Sequence, residues 1–253
     1  MADDLVRHFD DRGVHRVIMD GGANALDLPL LTALRTRMSA LKADGAPPIL
    51  LASSHPTVFS PGWDLKELVH ADRDHVGAVL QAFNGLIFEV FSYPGPTAAA
   101  ITGHAVAGGC LLAMAFDLRV MGSGRPHLGF AELNLGVPVP YTSVRMLKAR
   151  MGAGVVDEVV LGGDGCNAER ARALGLVHRI APVEQVVVVA DRELRKLKSK
   201  PARAYAATKA YLYRDDWQAM EDAGEEADRE FLDCWCDEET TRRVAEVVRG
   251  LGV

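Results

Sequence analysis

The chain has 253 residues, of which 49% are apolar and 25% charged, with 28 Lys and Arg against 34 Asp and Glu. A chain of this length and balance buries a sizeable core as one large domain, or as a domain with an appendage. The net charge of −6 and the lack of a basic block argue against nucleic-acid binding and against attachment to anionic lipid, and no apolar run is long enough to span a membrane.

In chain order, the acidic opening MADDLVRHFDD has no apolar leader pattern. Arg16 to Met19 reads as a strand, followed by a Gly-Gly turn. Asp27 is placed to cap a helix running to about residue 44, with Pro29 in its first turn and Gly45 after its end. Leu28, Leu31, Leu34, Met38 and Leu41 repeat at helical period. Pro48 to Ala52 is a continuous apolar run, as in a strand buried on both faces. A helix over 75–91 follows, then a strand over 97–101. Two further short strands are expected at 118–121 and 177–180. Beyond residue 181 the pattern is helical, over 183–198, 203–213 and 217–248. Phe231 and Trp235, one helical turn apart, are expected to pack C-terminal helices together. Strands and helices that interleave and then give way to helices indicate an α/β class.

Two stretches share a design of strand, glycine turn and helix. One is VFSPGWDLKEL, Val58 to Leu68; the other lies in ITGHAVAGGCLLAMAFDLRV, Ile101 to Val120. Glycine lets a ligand approach the main chain, and the first amides of a helix have no internal acceptor. Two such turns side by side can aim two N–H groups at one oxygen, as an oxyanion hole requires. Taken alone, a glycine pair equally serves close packing of a helix on a sheet.

Together with LGFAELNLG (Leu128 to Gly136), and with ANALDLPLL and AERARALGLVHRI, these stretches resemble the crotonase (enoyl-CoA hydratase/isomerase) superfamily over roughly residues 14–210. Within it the similarity is greatest to the mitochondrial-type Δ3,Δ2-enoyl-CoA isomerases. The resemblance implies an α/β spiral of ββα units over residues 1–190 and a helical C-terminal trimerisation region over 191–253. It implies that the amides of Trp63 and Gly108 hold a thioester oxygen. Ala25, Ser60, Pro61, Gly62, Trp63, Asp64, Leu65, Lys66 and Gly108 would line the acyl-CoA path. Coenzyme A would enter as part of the substrate, with no separate cofactor and no metal, in a homotrimer or dimer of trimers.

Hydratases of this superfamily use two glutamates. The position of the first is occupied here by Leu111; that of the second is Glu132. The single carboxylate suits a proton shuttle that moves a double bond in an enoyl-CoA. The alternatives are an enoyl-CoA hydratase, or other CoA-thioester lyase or hydrolase, that recruits a carboxylate from elsewhere (Glu89, Asp157 or Glu158), and a non-catalytic acyl-CoA-binding protein. Pro61 has no N–H to donate, Trp63 carries a bulky indole into the acyl path, and the stretch Val137 to Tyr141 is expected to reshape the acyl pocket.

Other candidates carry less. His104 reads as a core histidine, Asp64 as a helix cap, Asp117 as the cap of its segment's loop end, and Lys66 as a contact for a CoA phosphate or a solvated lysine. Gly152-Ala153-Gly154 lacks the third glycine of a dinucleotide fingerprint and reads as a helix boundary. Cys110, Cys166, Cys234 and Cys236 have no zinc-ligand spacing, which suggests reduced thiols in a cytoplasmic protein.

Overall fold

The computed structural model describes residues 5–251; the first four residues of the acidic opening lie outside the described residues. The first sheet has six strands in the order β1 (Val6–Asp11), β2 (Val14–Met19), β3 (Ile49–Ser53), β5 (Thr97–Ile101), β7 (Leu118–Gly122) and β10 (Arg179–Ala181). All neighbours are parallel except the β1–β2 hairpin at the edge. A second sheet has four short strands, in the order β4 (Val58–Ser60), β6 (His104–Val106), β8 (Leu128–Gly129) and β9 (Gly165–Cys166), which the residue pattern does not signal but the implied ββα units require. Each of β3, β5 and β7 continues into a strand of this sheet and then into a helix, which makes three successive ββα turns of a spiral. The sequence signal missed these strands because they are only two or three residues long.

The helices take the places their caps dictate. The helix α1 (Leu28–Ala43) starts at Asp27, whose carboxylate accepts from the Leu30 amide at 2.8 Å. The helix α3 (Arg73–Phe91) starts at Asp72, which accepts from His75 N–H at 2.8 Å. Between them lies the single turn α2 (Leu65–Leu68), capped by Asp64. Side chains alternate across the parallel strands. Val17, Met19, Ile49, Leu51 and Ile101 belong to one core, packed with α1 and α3. Val14, Leu50, Ala52, Ala98, Ala100 and Val120 belong to a second core with Val186, Ala190 and Leu194 of α9 (Val186–Lys198). The chain between β6 and α9 adds α4 (Gly108–Met114), α5 (Glu132–Leu135), α6 (Tyr141–Met151), α7 (Ala153–Val156) and α8 (Ala168–Ala173). Gly152 is the boundary between α6 and α7.

The C-terminal helices are α10 (Ala202–Asp222), α11 (Gly224–Trp235) and α12 (Glu238–Gly250). The helix α10 is tied to the core by Asp117, whose side chain, just ahead of β7, is 11% exposed. Its carboxylate accepts from Lys209 Nζ at 2.8 Å, Tyr205 Oη at 3.1 Å, Arg150 at 3.2 Å and the amide of Thr97 at 3.0 Å. Its role is thus wider than the local cap expected for it. The helices α11 and α12 fold back over the same chain, with α11 against α3 and α6 and α12 against α2 and α5. No helix among the described residues is long and apolar enough to cross a membrane.

Candidate active site

The two glycine turns meet. Strands β4 and β6 pair in parallel, which brings the loop Pro61 to Asp64 beside the start of α4. Their contact leaves no room for side chains. A Cβ on Gly109 would lie 2.2 Å from the Ser60 carbonyl oxygen, and one on Gly62, whose φ is +93°, would lie 3.1 Å from the Gly108 nitrogen. Ser60 Oγ is buried here, donating to the Asn24 carbonyl and accepting from the Gly62 amide. Close packing and backbone access are therefore served by the same glycines: Gly109 clears the strand, and Gly62 and Gly108 leave the main chain open.

Gly108 is the first residue of α4, so its N–H has no acceptor in the helix. Trp63 pairs with Leu26 as an isolated bridge through the Gly62 carbonyl, and its own N–H has no acceptor among the described residues. The residue before Gly108, Ala107, holds φ +47° and ψ −126°, a conformation an L-residue adopts only under strain of about 1–3 kcal/mol. It is pinned there from both sides: its N–H donates to Gly129 O at 2.7 Å and its carbonyl accepts from Leu111 N at 2.9 Å.

Both turns border a cavity of 280 Å³. Of the residues expected along the acyl path, Pro61, Trp63, Leu65 and Gly108 line it, together with Glu132. Ala25, Ser60, Gly62, Asp64 and Lys66 do not. Asp64 caps α2, accepting from the amides of Lys66 and Glu67 at 3.0 and 3.4 Å. His104 is half-buried on β6, stacked on His127 at 5.7 Å, and stands outside the cavity lining. The Val137 to Tyr141 stretch contributes Val137 and Pro140.

Glu132 opens α5 and is only 6% exposed. Neither carboxylate oxygen has a hydrogen-bond partner. Burial pushes its pKa from 4.5 up to about 7, and the adjacent amides of Glu132 and Ala131, which sit too poorly for hydrogen bonds, pull it back only in part. Among the residues lining the cavity it is the only titratable one, and Leu111 lines the same space. The carboxylates considered as replacements lie elsewhere: Glu89 is bound to Arg35 and Ser39, Glu158 pairs with Arg170, and Asp157 is exposed.

Sequence periodicity misplaced one pair of residues. Phe231 and Trp235 do not simply join C-terminal helices; both line the cavity and contact the Trp63 indole, at centroid distances of 5.4 and 5.7 Å. The helical spacing was read correctly, but spacing cannot tell whether a face covers a helix or a cavity. Phe83 of α3, which meets Trp63 edge-on at 5.7 Å, and Val247 of α12 also line the cavity and carried no signal.

Comparison with known proteins accords with this architecture. The sequence profile of the Enoyl-CoA hydratase/isomerase family matches residues 11–246. Enoyl-CoA hydratase domain-containing protein 2, mitochondrial, of Mus musculus is 32% identical over 179 residues, which are 69% of this chain and 60% of that protein. A putative enoyl-CoA hydratase of Thermus thermophilus is 30% identical over 79% of each chain. The matched region thus spans about three-fifths of the mouse protein and most of the bacterial one. In fold, the chain superposes on human mitochondrial delta3-delta2-enoyl-CoA isomerase with a TM-score of 0.93 over 98% of each chain, at 24% identity. With the spiral of ββα turns, the paired glycine turns and these matches, the chain belongs to the enoyl-CoA hydratase/isomerase (crotonase) family.

Proposed function

We propose that the protein is an enoyl-CoA isomerase that converts a 3-enoyl-CoA into the 2-enoyl-CoA with Glu132 as the only proton carrier. The observation that carries this reading is the cavity lining: one buried carboxylate, no second acid, and Leu111 where a water-positioning glutamate would be needed.

In this reading the amides of Trp63 and Gly108 donate to the thioester oxygen. The Glu132 carboxylate takes a proton from C2. The C–H electron pair then forms a dienolate spread over the thioester oxygen, C2 and C4. Each main-chain donor lowers the barrier by about 3–4 kcal/mol. The carboxyl now holds the proton and delivers it to C4, which leaves the double bond between C2 and C3 and restores the carboxylate. Positioned proton transfer of this kind contributes about 10²–10⁴-fold. A base with a pKa near 7 is suited to both halves of the cycle, because it accepts and releases the proton with similar ease at neutral pH. Hydration needs a water both oriented and deprotonated, and one unpartnered carboxylate in an apolar wall does not supply both.

The test offers 3-enoyl-CoA and 2-enoyl-CoA separately. Interconversion of the alkenes is expected, and Glu132→Gln should abolish it while CoA-ester binding persists. Release of 3-hydroxyacyl-CoA as the main product would assign a hydratase, and binding without any turnover would assign a carrier. We further propose self-association as a homotrimer or dimer of trimers, on the strength of α10, a 21-residue helix that buries only Lys209 and Met220 and leaves Tyr211 and Leu212 exposed.

A further inference from the structure

The same cavity limits what acyl group it can take. Its one wall of rings is built from two distant parts of the chain. Trp63 comes from the first glycine turn and Phe83 from α3; Phe231 and Trp235 come from α11, where they stack on each other at 6.2 Å. The Trp63 ring is fixed close to the oxyanion turn: its Cδ1 lies 3.1 Å from where a Gly108 Cβ would be. The helix α11 is held over the cavity by polar contacts to α3. Asn84 donates to Asp228 at 2.9 Å and Arg73 donates to Asp233 at 2.7 Å. The ring wall is therefore a fixed part of the folded chain, contributed by its own C-terminal helix.

Chemistry and size both follow. Besides the Glu132 carboxylate, the polar side-chain groups of the lining are the indole N–H groups of Trp63 and Trp235 and the Asn134 amide, whose nitrogen already donates to Gly163 O at 2.9 Å. No lysine, arginine or histidine lines the cavity. A tail ending in a second carboxylate would be stripped of water and find no counter-charge, with Glu132 the one charged group nearby. As for size, a closed cavity of roughly 150 Å³ holds a benzene ring, so the 280 Å³ of this partly open cavity shelters about eleven non-hydrogen atoms, and atoms beyond that number extend toward solvent. Some of the sheltered atoms must be the thioester and the reacting carbons.

We infer that Trp63, Phe231 and Trp235 are specificity-determining residues that restrict this site to short and medium enoyl chains without a charged tail, of about ten carbons at most. The inference rests on reading the cavity as the acyl site, but not on the direction of the chemistry.

The experiment measures Kd by calorimetry for saturated straight-chain acyl-CoAs from four to sixteen carbons, which bind without turnover. Affinity is expected to rise by about fourfold for each added methylene while the tail is being buried. The gain should stop near about ten carbons, and longer chains should bind no better or worse. Trp235→Ala should move that break point to chains at least two carbons longer; Trp235→Phe should leave it in place. Phe231→Leu serves as a second, milder variant, with circular dichroism verifying the fold. A terminal carboxylate on a six-carbon acyl group should weaken binding by at least about tenfold. Affinity that keeps rising to sixteen carbons in the unmodified protein overturns the proposal. So does a break point that stays in place in both the Trp235→Ala and Phe231→Leu proteins. A normal break point with no alkene interconversion would leave this inference standing and remove the isomerase reading instead.

Discussion

Glu132 stands where stability and chemistry oppose each other. Its pKa in the folded protein, about 7, lies above the ordinary value of 4.5, so between those limits the folded chain holds the proton more tightly than the unfolded one. Stability contributed by this group is thus present below about pH 4.5 and is lost as pH rises through about 7. The loss at pH 8 is about 3 kcal/mol, because the buried carboxylate has no hydrogen bond to offset its desolvation. Glu132→Gln removes this liability. The variant is expected to melt above the unmodified protein at pH 8, by about 6–12 °C for a chain of this size, with the gap closing toward pH 5; differential scanning calorimetry at the two pH values measures it. Equal melting temperatures at pH 8 would show that the carboxyl is not desolvated as described. If Glu132 is the base of the proposed isomerisation it must be ionised to work, so kcat/KM for 3-enoyl-CoA should rise with pH to a plateau above about 7. The strained Ala107 belongs to the same exchange: its backbone is held in an unfavourable conformation so that the next amide stays free.

The secondary elements explain what sequence alone could and could not reveal. The helix α1 was legible at both ends, since Asp27, Pro29 and Gly45 act locally. The strands β3 and β5 were legible because burial on both faces leaves four consecutive apolar residues in each, with a polar residue only at one end, Ser53 in β3 and Thr97 in β5. Strand β1 was not: VRHFDD is an edge strand with mostly exposed or half-buried positions, and its charges look like a loop. The last strand lies at Arg179–Ala181, slightly beyond the expected 177–180. The charged segment expected to be helical over 217–248 is divided near Ala223 and Asp237, its first part continuing α10, with the second break capped by Asp237 itself. The glycine turns and Glu132 were legible through the resemblance of their motifs to the crotonase superfamily; glycine pairs serve close packing equally well, and a lone glutamate reads equally as a surface residue. The ring wall was not, because it exists only once α11 has folded back. The tie between α10 and the core was likewise hidden in the lone Asp117. Burial raises that carboxyl's pKa, but Lys209 and Arg150 outweigh it and hold the group ionised. Asp117→Asn would leave Lys209 and Arg150, only 5% and 6% exposed at their side chains, as buried cations without a counter-charge. The expected cost is about 3–5 kcal/mol, read as a lower urea midpoint. An unchanged midpoint would mean the cluster is wetter than its burial indicates.

At the scale of the molecule, one division of labour runs through the chain. The first sheet and its two cores provide a base, the second sheet brings the two glycine turns together, and the C-terminal helices close the cavity. Two of those helices, α11 and α12, spend their apolar faces on the chain's own cavity and core. The helix α10 does not: Tyr211 is 76% exposed and Leu212 66% exposed, next to each other on a helix whose other face is anchored through Lys209. Large apolar side chains left adjacent on a well-anchored helix mark a surface suited to another subunit. If three copies meet there, sedimentation velocity should give a species of three or six chains. Tyr211→Glu combined with Leu212→Glu should then shift it toward monomers. Because Glu132, Trp63, Gly108, Phe231 and Trp235 all come from one chain, the monomeric variant is expected to keep acyl-CoA binding within about threefold of the parent, since it loses no lining residue. A monomer in the unmodified protein would exclude the assembly, whereas loss of acyl-CoA binding in a well-folded monomeric variant would mean that a neighbouring subunit completes the site.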